Sequence, residues 1–249
     1  MPSTFKRAVI VGASSGIGEA LARRLAQDGC CVALVARRAD ALCALADRLN
    51  SEVKASVACA YPHDVRDIAA VPALFAEIAR DLGGLDLIVY AAGVMPRIGP
   101  DEFPTAVDAD TVATNFTGAV AWLNEAAQRF GKARSGTIVG ISSVSGDRGR
   151  RKNTVYGATK AALNVYLESL YNQLAVRGVA VVNIKPGPID TPMTRGLKLP
   201  LMIPAEQAAR EILEAARAGT PIAYVPAKWK LVMTVLRAIP APLFKYLSV

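Results

Sequence analysis

Along the chain, short and mostly apolar runs take turns with longer stretches in which apolar residues recur every three or four positions. The short runs fall at 8–11, 31–35, 54–60, 85–90, 136–143, 179–184 and 222–225. Near-continuous apolar character, in place of strict in-out alternation, predicts strands covered on both faces. Helical periodicity occupies 19–28, 39–50, 68–82, 154–176 and 205–218, and 104–131 reads as one long helix or a helix pair. Alternating strand and helix predicts an α/β fold: a doubly wound, mostly parallel seven-stranded sheet with helices on both faces. No linker-like run or shift of composition divides residues 1–249, so a single domain is expected.

The junctions between these elements carry the first chemistry. Between the first strand and the first helix stands Gly12-Ala13-Ser14-Ser15-Gly16-Ile17-Gly18. Strand, glycine turn and helix together are the context that a dinucleotide fingerprint requires. Gly12 permits a tight turn, Gly16 lets the backbone approach a pyrophosphate, and Gly18 permits close helix–strand packing. The helix N-terminus then offers free N–H groups to phosphates. After the second strand come Arg37 and Arg38, where an acidic residue would bind a ribose 2′-hydroxyl. Two guanidiniums in its place accommodate a 2′-phosphate, which favours NADP(H) over NAD(H). The plainer account makes both arginines solvated residues opening the next helix.

A second constellation lies near the middle. Tyr156 and Lys160 are four apart, so a helix presents both on one face. A phenol with an ordinary pKa near ~10 is a poor proton donor or acceptor at neutral pH. An ammonium one turn away favours the phenolate and brings the group towards the working range. Ser143, thirteen residues upstream at the end of the predicted fifth strand, places a hydroxyl beside the phenol. Such a trio suits proton transfer at a hydroxyl or carbonyl, although a Tyr-x-x-x-Lys pair alone is common on solvated helices.

Taken with Asn115 and the Pro186-Gly187 turn, the glycine turn and the Ser143/Tyr156/Lys160 set resemble the short-chain dehydrogenase/reductase family over most of the chain. The resemblance implies a Rossmann-type fold and an NADP-dependent oxidoreductase acting on CH–OH donors or the corresponding carbonyls. It implies that Tyr156 donates the proton, Ser143 hydrogen-bonds the carbonyl oxygen, and Lys160 lowers the tyrosine pKa and holds the ribose. Asn115 would connect the relay to solvent through water. Cofactor contacts are implied for Gly12, Ser14, Ser15, Gly16, Ile17, Gly18, Arg37 and Arg38. They extend to Asp64 and Val65 at the adenine, Ala92 and Gly93 after the fourth strand, Tyr156 and Lys160 themselves, and Pro186, Gly187, Ile189 and Thr191 over the nicotinamide and pyrophosphate. Two departures stand out: Ser15 occupies a position that is often basic, and Tyr90-Ala91 replaces the family's usual Asn-Asn. Some other group must therefore satisfy the backbone that those asparagines tie. Homodimers or homotetramers are the family habit.

Composition narrows the remaining choices. An apolar share of 52% supports a sizeable core. Cys30, Cys31, Cys43 and Cys59 lack C-x-x-C spacing and His63 has no ligand set around it, so neither a disulfide frame nor a metal is expected. The first strand begins almost at once, with no cleavable apolar segment, which points to the cytoplasm. A formal net charge of +8 admits nucleic acid, anionic ligands or acidic membrane surfaces as partners. Nucleic acid is not expected, because the cations are not interleaved with stacking aromatics. Arg148, Arg150, Arg151 and Lys152 crowd the loop after Ser143. They form either a solvated loop or an attractor for an anionic substrate or lipid head group. Residues 193–204, apolar and proline-bounded, are expected to form a substrate lid suited to an apolar or lipid-linked carbonyl compound. The tail, 228–249, is either an interfacial helix giving peripheral membrane contact or an apolar helix packed on protein. The rival function is a non-catalytic dinucleotide sensor or scaffold on the same fold.

Overall fold

The computed structural model describes residues 5–99, 101–197 and 199–247; Lys198 of the expected lid and the last two residues of the tail lie outside them. The strands are β1 Arg7–Val11, β2 Cys31–Ala36, β3 Ala58–Pro62, β4 Leu87–Tyr90, β5 Thr137–Ile141, β6 Ala180–Pro186, the two-residue β7 Ile189–Asp190 and β8 Ile203–Pro204, and β9 Ile222–Val225. The helices are α1 Gly16–Gln27, α2 Ala39–Val53, α3 Val71–Asp81, α4 Thr105–Val112, α5 Gly118–Ala133, α6 Thr154–Leu174, α7 Ala205–Ala218, α8 Trp229–Ala238 and α9 Ala241–Phe244. The main sheet runs β3-β2-β1-β4-β5-β6-β9, and every pairing in it is parallel.

Its two faces explain the unbroken apolar runs. Ala8, Ile10, Val32 and Leu34 pack against α1, α2 and α7, while Val9, Val11, Ala33 and Val35 pack with residues of α3, α5 and α6. Both layers lie beneath helices, so Ala8–Val11 of β1 and all of β4 are apolar. Strand order reverses between β1 and β4, and the loops leaving their carboxyl ends open a crevice there, the usual place for a ligand in an open α/β sheet.

Several boundaries differ from the sequence expectation, each for a local reason. The third strand starts at Ala58, not at residue 54, because Lys54 caps α2 in the left-handed conformation, with φ at 54°. Asn50 then bonds the backbone N–H groups of Val57 and Ala58 and the carbonyl of Ala58, so residues 54–57 form a turn. α3 starts at Val71, with a proline in its first turn, and not at residue 68. α1 starts at Gly16 itself, so the glycine turn feeds the helix directly. The stretch 104–131 is neither one helix nor a simple pair. A five-residue π-helical turn, Ala113–Thr117, joins α4 to α5.

The tail divides its surface between protein and solvent. In α8 Trp229 and Met233 are buried against Val144, while Leu231 and Val235 are exposed beside Lys230. No helix among the described residues is long and apolar enough to cross a membrane.

Candidate active site

The nucleotide end of the crevice is built by close backbone approach. Gly12 has φ at +95°, and a Cβ on it would overlap the backbone nitrogen of Ala92. The first and fourth strand ends therefore touch through a missing side chain. A Cβ on Gly18 would strike the Gly12 carbonyl oxygen, which is how α1 comes to sit tight against its own strand. A Cβ on Gly16 would lie 3.2 Å from the Thr191 side chain. Thr191 in turn forms a reciprocal cap with Thr194, so the turn after β6 closes over the glycine loop. This glycine cradle fits a dinucleotide pyrophosphate.

Arg38 donates to the carbonyl and hydroxyl oxygens of Ser14 at 3.2 and 3.1 Å, bracing the loop. Arg37 is exposed, makes no ion pair among the described residues, and lines a cleft of about 500 Å³ with Gly93, Val94, Met95, Pro192 and Met193. The sequence reading missed Arg66, which lines the same cleft and grips Asp64 at 2.7 Å and Asp110 at 3.3 Å. Hydrogen bonding from Arg66 holds the Asp64 carboxyl below the usual carboxylate range. Its place two residues after Asp64 was the available signal. Val65 is buried and its carbonyl faces Gly118. Ile189 is buried in β7, beside the Thr191 cap.

Ser143, expected at the end of a strand, lies beyond β5 and caps a short 3₁₀ turn, Val144–Gly146, accepting from the Ser145 N–H at 3.1 Å. Tyr156 and Lys160 occupy the first two turns of α6. Burial pushes the Tyr156 phenol up, and two neighbours oppose it: the Ser143 hydroxyl first, then the charge of Arg150. Lys160 stands 5.7 Å from the phenol ring centroid and donates to the Ile141 carbonyl at 2.9 Å. Burial lowers its own pKa from 10.5 to about 8.

Asn115 is fully buried in the π-helical turn. Its amide spans both backbone groups of Val94, accepting at 2.7 Å and donating at 2.9 Å, and reaches the Thr159 hydroxyl at 3.3 Å. A Cβ on Gly93 would lie 3.4 Å from the Asn115 oxygen and 3.6 Å from the Lys160 nitrogen, so these two groups converge across one glycine. A helix forced to carry a buried asparagine has opened into the wider turn, a feature that clusters at functional sites.

Tyr90 answers the question raised by the absent asparagines. Its buried hydroxyl donates to the Thr114 carbonyl at 2.6 Å, tying β4 to the turn that holds Asn115. Burial pushes that phenol well above its ordinary pKa, so it remains a donor. Tyr90→Phe leaves the carbonyl without its partner and is expected to cost about 1–3 kcal/mol in urea unfolding. An unchanged unfolding midpoint would mean that the bond adds nothing to the fold.

The tail also reaches the site. A Cβ on Gly187 would run into the Trp229 indole, so glycine there lets α8 seat on the Pro186-Gly187 turn.

A family model described as "short chain dehydrogenase" matches residues 6–200. An uncharacterized oxidoreductase of Staphylococcus epidermidis is 36% identical over 196 residues, covering 77% of this chain and 81% of the relative. An NADPH complex of a short-chain dehydrogenase from Sphingobium yanoikuyae superposes with a TM-score of 0.82 at 26% identity, covering 95% of this chain and 97% of that one. A short-chain type dehydrogenase/reductase from Mycobacterium marinum superposes with a TM-score of 0.80 at 28% identity, covering 88% and 93%. With the sheet, its crevice and the matched residues all in agreement, the chain belongs to the short-chain dehydrogenase/reductase family of nucleotide-binding oxidoreductases.

Proposed function

We propose that this protein is an NADP(H)-dependent oxidoreductase that interconverts a carbonyl and a secondary alcohol on an apolar small molecule. The convergence of Ser143, Tyr156, Lys160 and Asn115 on one end of the glycine-lined crevice carries the reading. When bound, the nicotinamide supplies the hydride that reduces the carbonyl carbon, or takes it back in the reverse direction. Tyr156 holds at its phenolic oxygen the proton that goes to the carbonyl oxygen, so hydride and proton together complete the two-electron reduction. Ser143 donates to the same oxygen and stabilises negative charge as it develops there. Lys160 is fixed by the Ile141 carbonyl, with its remaining donors available to ribose hydroxyls. Its lowered pKa lets it exchange protons near neutrality. Asn115 anchors the Val94 backbone and stands beside that ammonium, in position to extend a proton path. Residues 193–204 would close over the substrate, with Met193, Leu197, Leu199 and Leu201 supplying exposed apolar surface.

The preference for NADP(H) rests on Arg37, a cation at the cleft with no ion pair among the described residues, and on Arg38 braced beside it. In a fluorescence titration NADPH is expected to bind at least tenfold more tightly than NADH, about 1.4 kcal/mol from the 2′-phosphate. Arg37→Ala should remove most of that difference. Equal affinities in the unmutated protein would return both arginines to the solvated surface. Failure to bind either nucleotide would favour a scaffold role for the fold.

A further inference from the structure

The cationic loop between Ser143 and α6 separates into residues with different commitments. Arg148 is engaged by the tail: its Nη1 donates to the carbonyls of Leu236 and Arg237 at 2.9 and 2.8 Å, and its guanidinium lies 4.0 Å over the Phe244 ring. Asp147, the acid of the loop, is nearly inaccessible. One of its oxygens holds Lys185 Nζ at 2.6 Å and the other accepts from the Tyr224 hydroxyl at 2.7 Å. Arg151 and Lys152 are exposed.

Arg150 is unlike the others. It is half-buried, it enters no ion pair among the described residues, and its guanidinium's one hydrogen-bond partner there is the Met233 sulfur, 3.8 Å from Nη2. A thioether is a weak acceptor, so the half-buried guanidinium has no matching anion among the described residues. Desolvating a guanidinium without an anion is costly. Asp147 offsets that cost only through space, since its oxygens bond Lys185 and Tyr224 and no ion pair joins it to Arg150 among the described residues. The guanidinium also lies near the reacting end of the crevice, because the Met233 it contacts packs against Val144, the residue after Ser143, and its charge favours the Tyr156 phenolate. Val144, Trp229 and Met233 form an apolar cluster beside it.

We propose that Arg150 is the receptor for a substrate carboxylate, so that the preferred substrates are oxo acids with an apolar body, oriented with the carbonyl towards Tyr156 and Ser143. The proposal rests on the carbonyl/alcohol reading above and names its substrate class. The planar fork of the guanidinium matches a carboxylate with two parallel hydrogen bonds. The Asp147–Lys185–Tyr224 network and the Arg148 clamp hold the loop beforehand, so little ordering cost falls on binding. One uncommitted guanidinium suits one carboxylate, and the neighbouring methionine and tryptophan suit the chain that carries it.

The test compares a medium-chain oxo acid with its methyl ester as substrates of the NADPH-loaded protein, in the unmutated chain, Arg150→Lys and Arg150→Gln. Binding of the saturated carboxylate of the same length, which cannot be reduced, is followed in parallel by calorimetry. Retained NADPH binding reports that each variant is folded. The unmutated protein is expected to prefer acid over ester by at least ~30-fold in kcat/KM, with Arg150→Gln bringing the ratio near one and Arg150→Lys falling between. Carboxylate binding should weaken in step. An equal loss for acid and ester, with both pH profiles shifted alike, would mean that Arg150 serves the phenol and would overturn the proposal; so would an ester preference in the unmutated protein. Arg150-dependent carboxylate binding without turnover of either compound would sustain the proposal and defeat the reductase reading. Turnover of both compounds indifferent to Arg150 would do the reverse.

Discussion

Replacing Tyr156 by phenylalanine is expected to lower kcat by about 10³-fold while NADPH affinity changes less than ~3-fold. The substitution removes one oxygen and keeps the ring, so α6 and the contact of the Lys160 ammonium with the aromatic face are retained. What is lost is the proton donor at the reacting oxygen, and a thousandfold corresponds to about 4 kcal/mol of transition-state stabilisation. Ser143 remains to hydrogen-bond the carbonyl, but an aliphatic hydroxyl does not release its proton near neutrality and cannot replace a phenol. Single-turnover oxidation of bound NADPH separates this chemical loss from any change in product release. A rate within tenfold of the unmutated enzyme would assign the proton to another group.

Gly12→Ala should cost about 3 kcal/mol or more in urea unfolding and weaken nucleotide binding at least tenfold. Two penalties act together there. The backbone sits at φ +95°, which a side chain disfavours, and the new Cβ would occupy the space of the Ala92 backbone. Neither β1 nor β4 can retreat, because both are central strands paired on each side. Gly29→Ala provides the comparison: its φ is +79°, but nothing lies within 4 Å of a Cβ there. That variant bears the conformational cost alone, about 1–2 kcal/mol. If the two variants unfolded at the same denaturant concentration, the approach of the two strand ends would not be a constraint on the fold.

One face of the tail helix α8 follows the reading of an apolar helix packed on protein. Its Trp229/Met233 face closes against Val144 and the Gly187 turn, while Leu231 and Val235 remain exposed. The end of α8 and the Phe244 ring hold Arg148, while Arg150 reaches Met233 on the packed face. A loop of cations reads as one feature in sequence, yet its members differ in which acceptors are within reach.

The sequence alone determined the doubly wound sheet and the position of its crevice. Strands covered on both faces are mostly apolar, and glycines are required wherever one backbone lies against another, so both signals are local. β9 and α7 were readable to the residue for the same reason: clear periodicity between proline or glycine boundaries. The Tyr156/Lys160 spacing likewise follows from one helix. Contacts between distant segments were not readable in this way. Tyr90 satisfying Thr114, Arg66 reaching Asp110, the π-helical turn around Asn115, and Lys160 bonding the Ile141 carbonyl all depend on which groups meet. Hydrophobic periodicity encodes which face of an element is buried, and it carries no record of which polar partner waits there. That pairing exists only once the chain has closed, because the desolvation cost of each polar group is set by neighbours dozens of residues away.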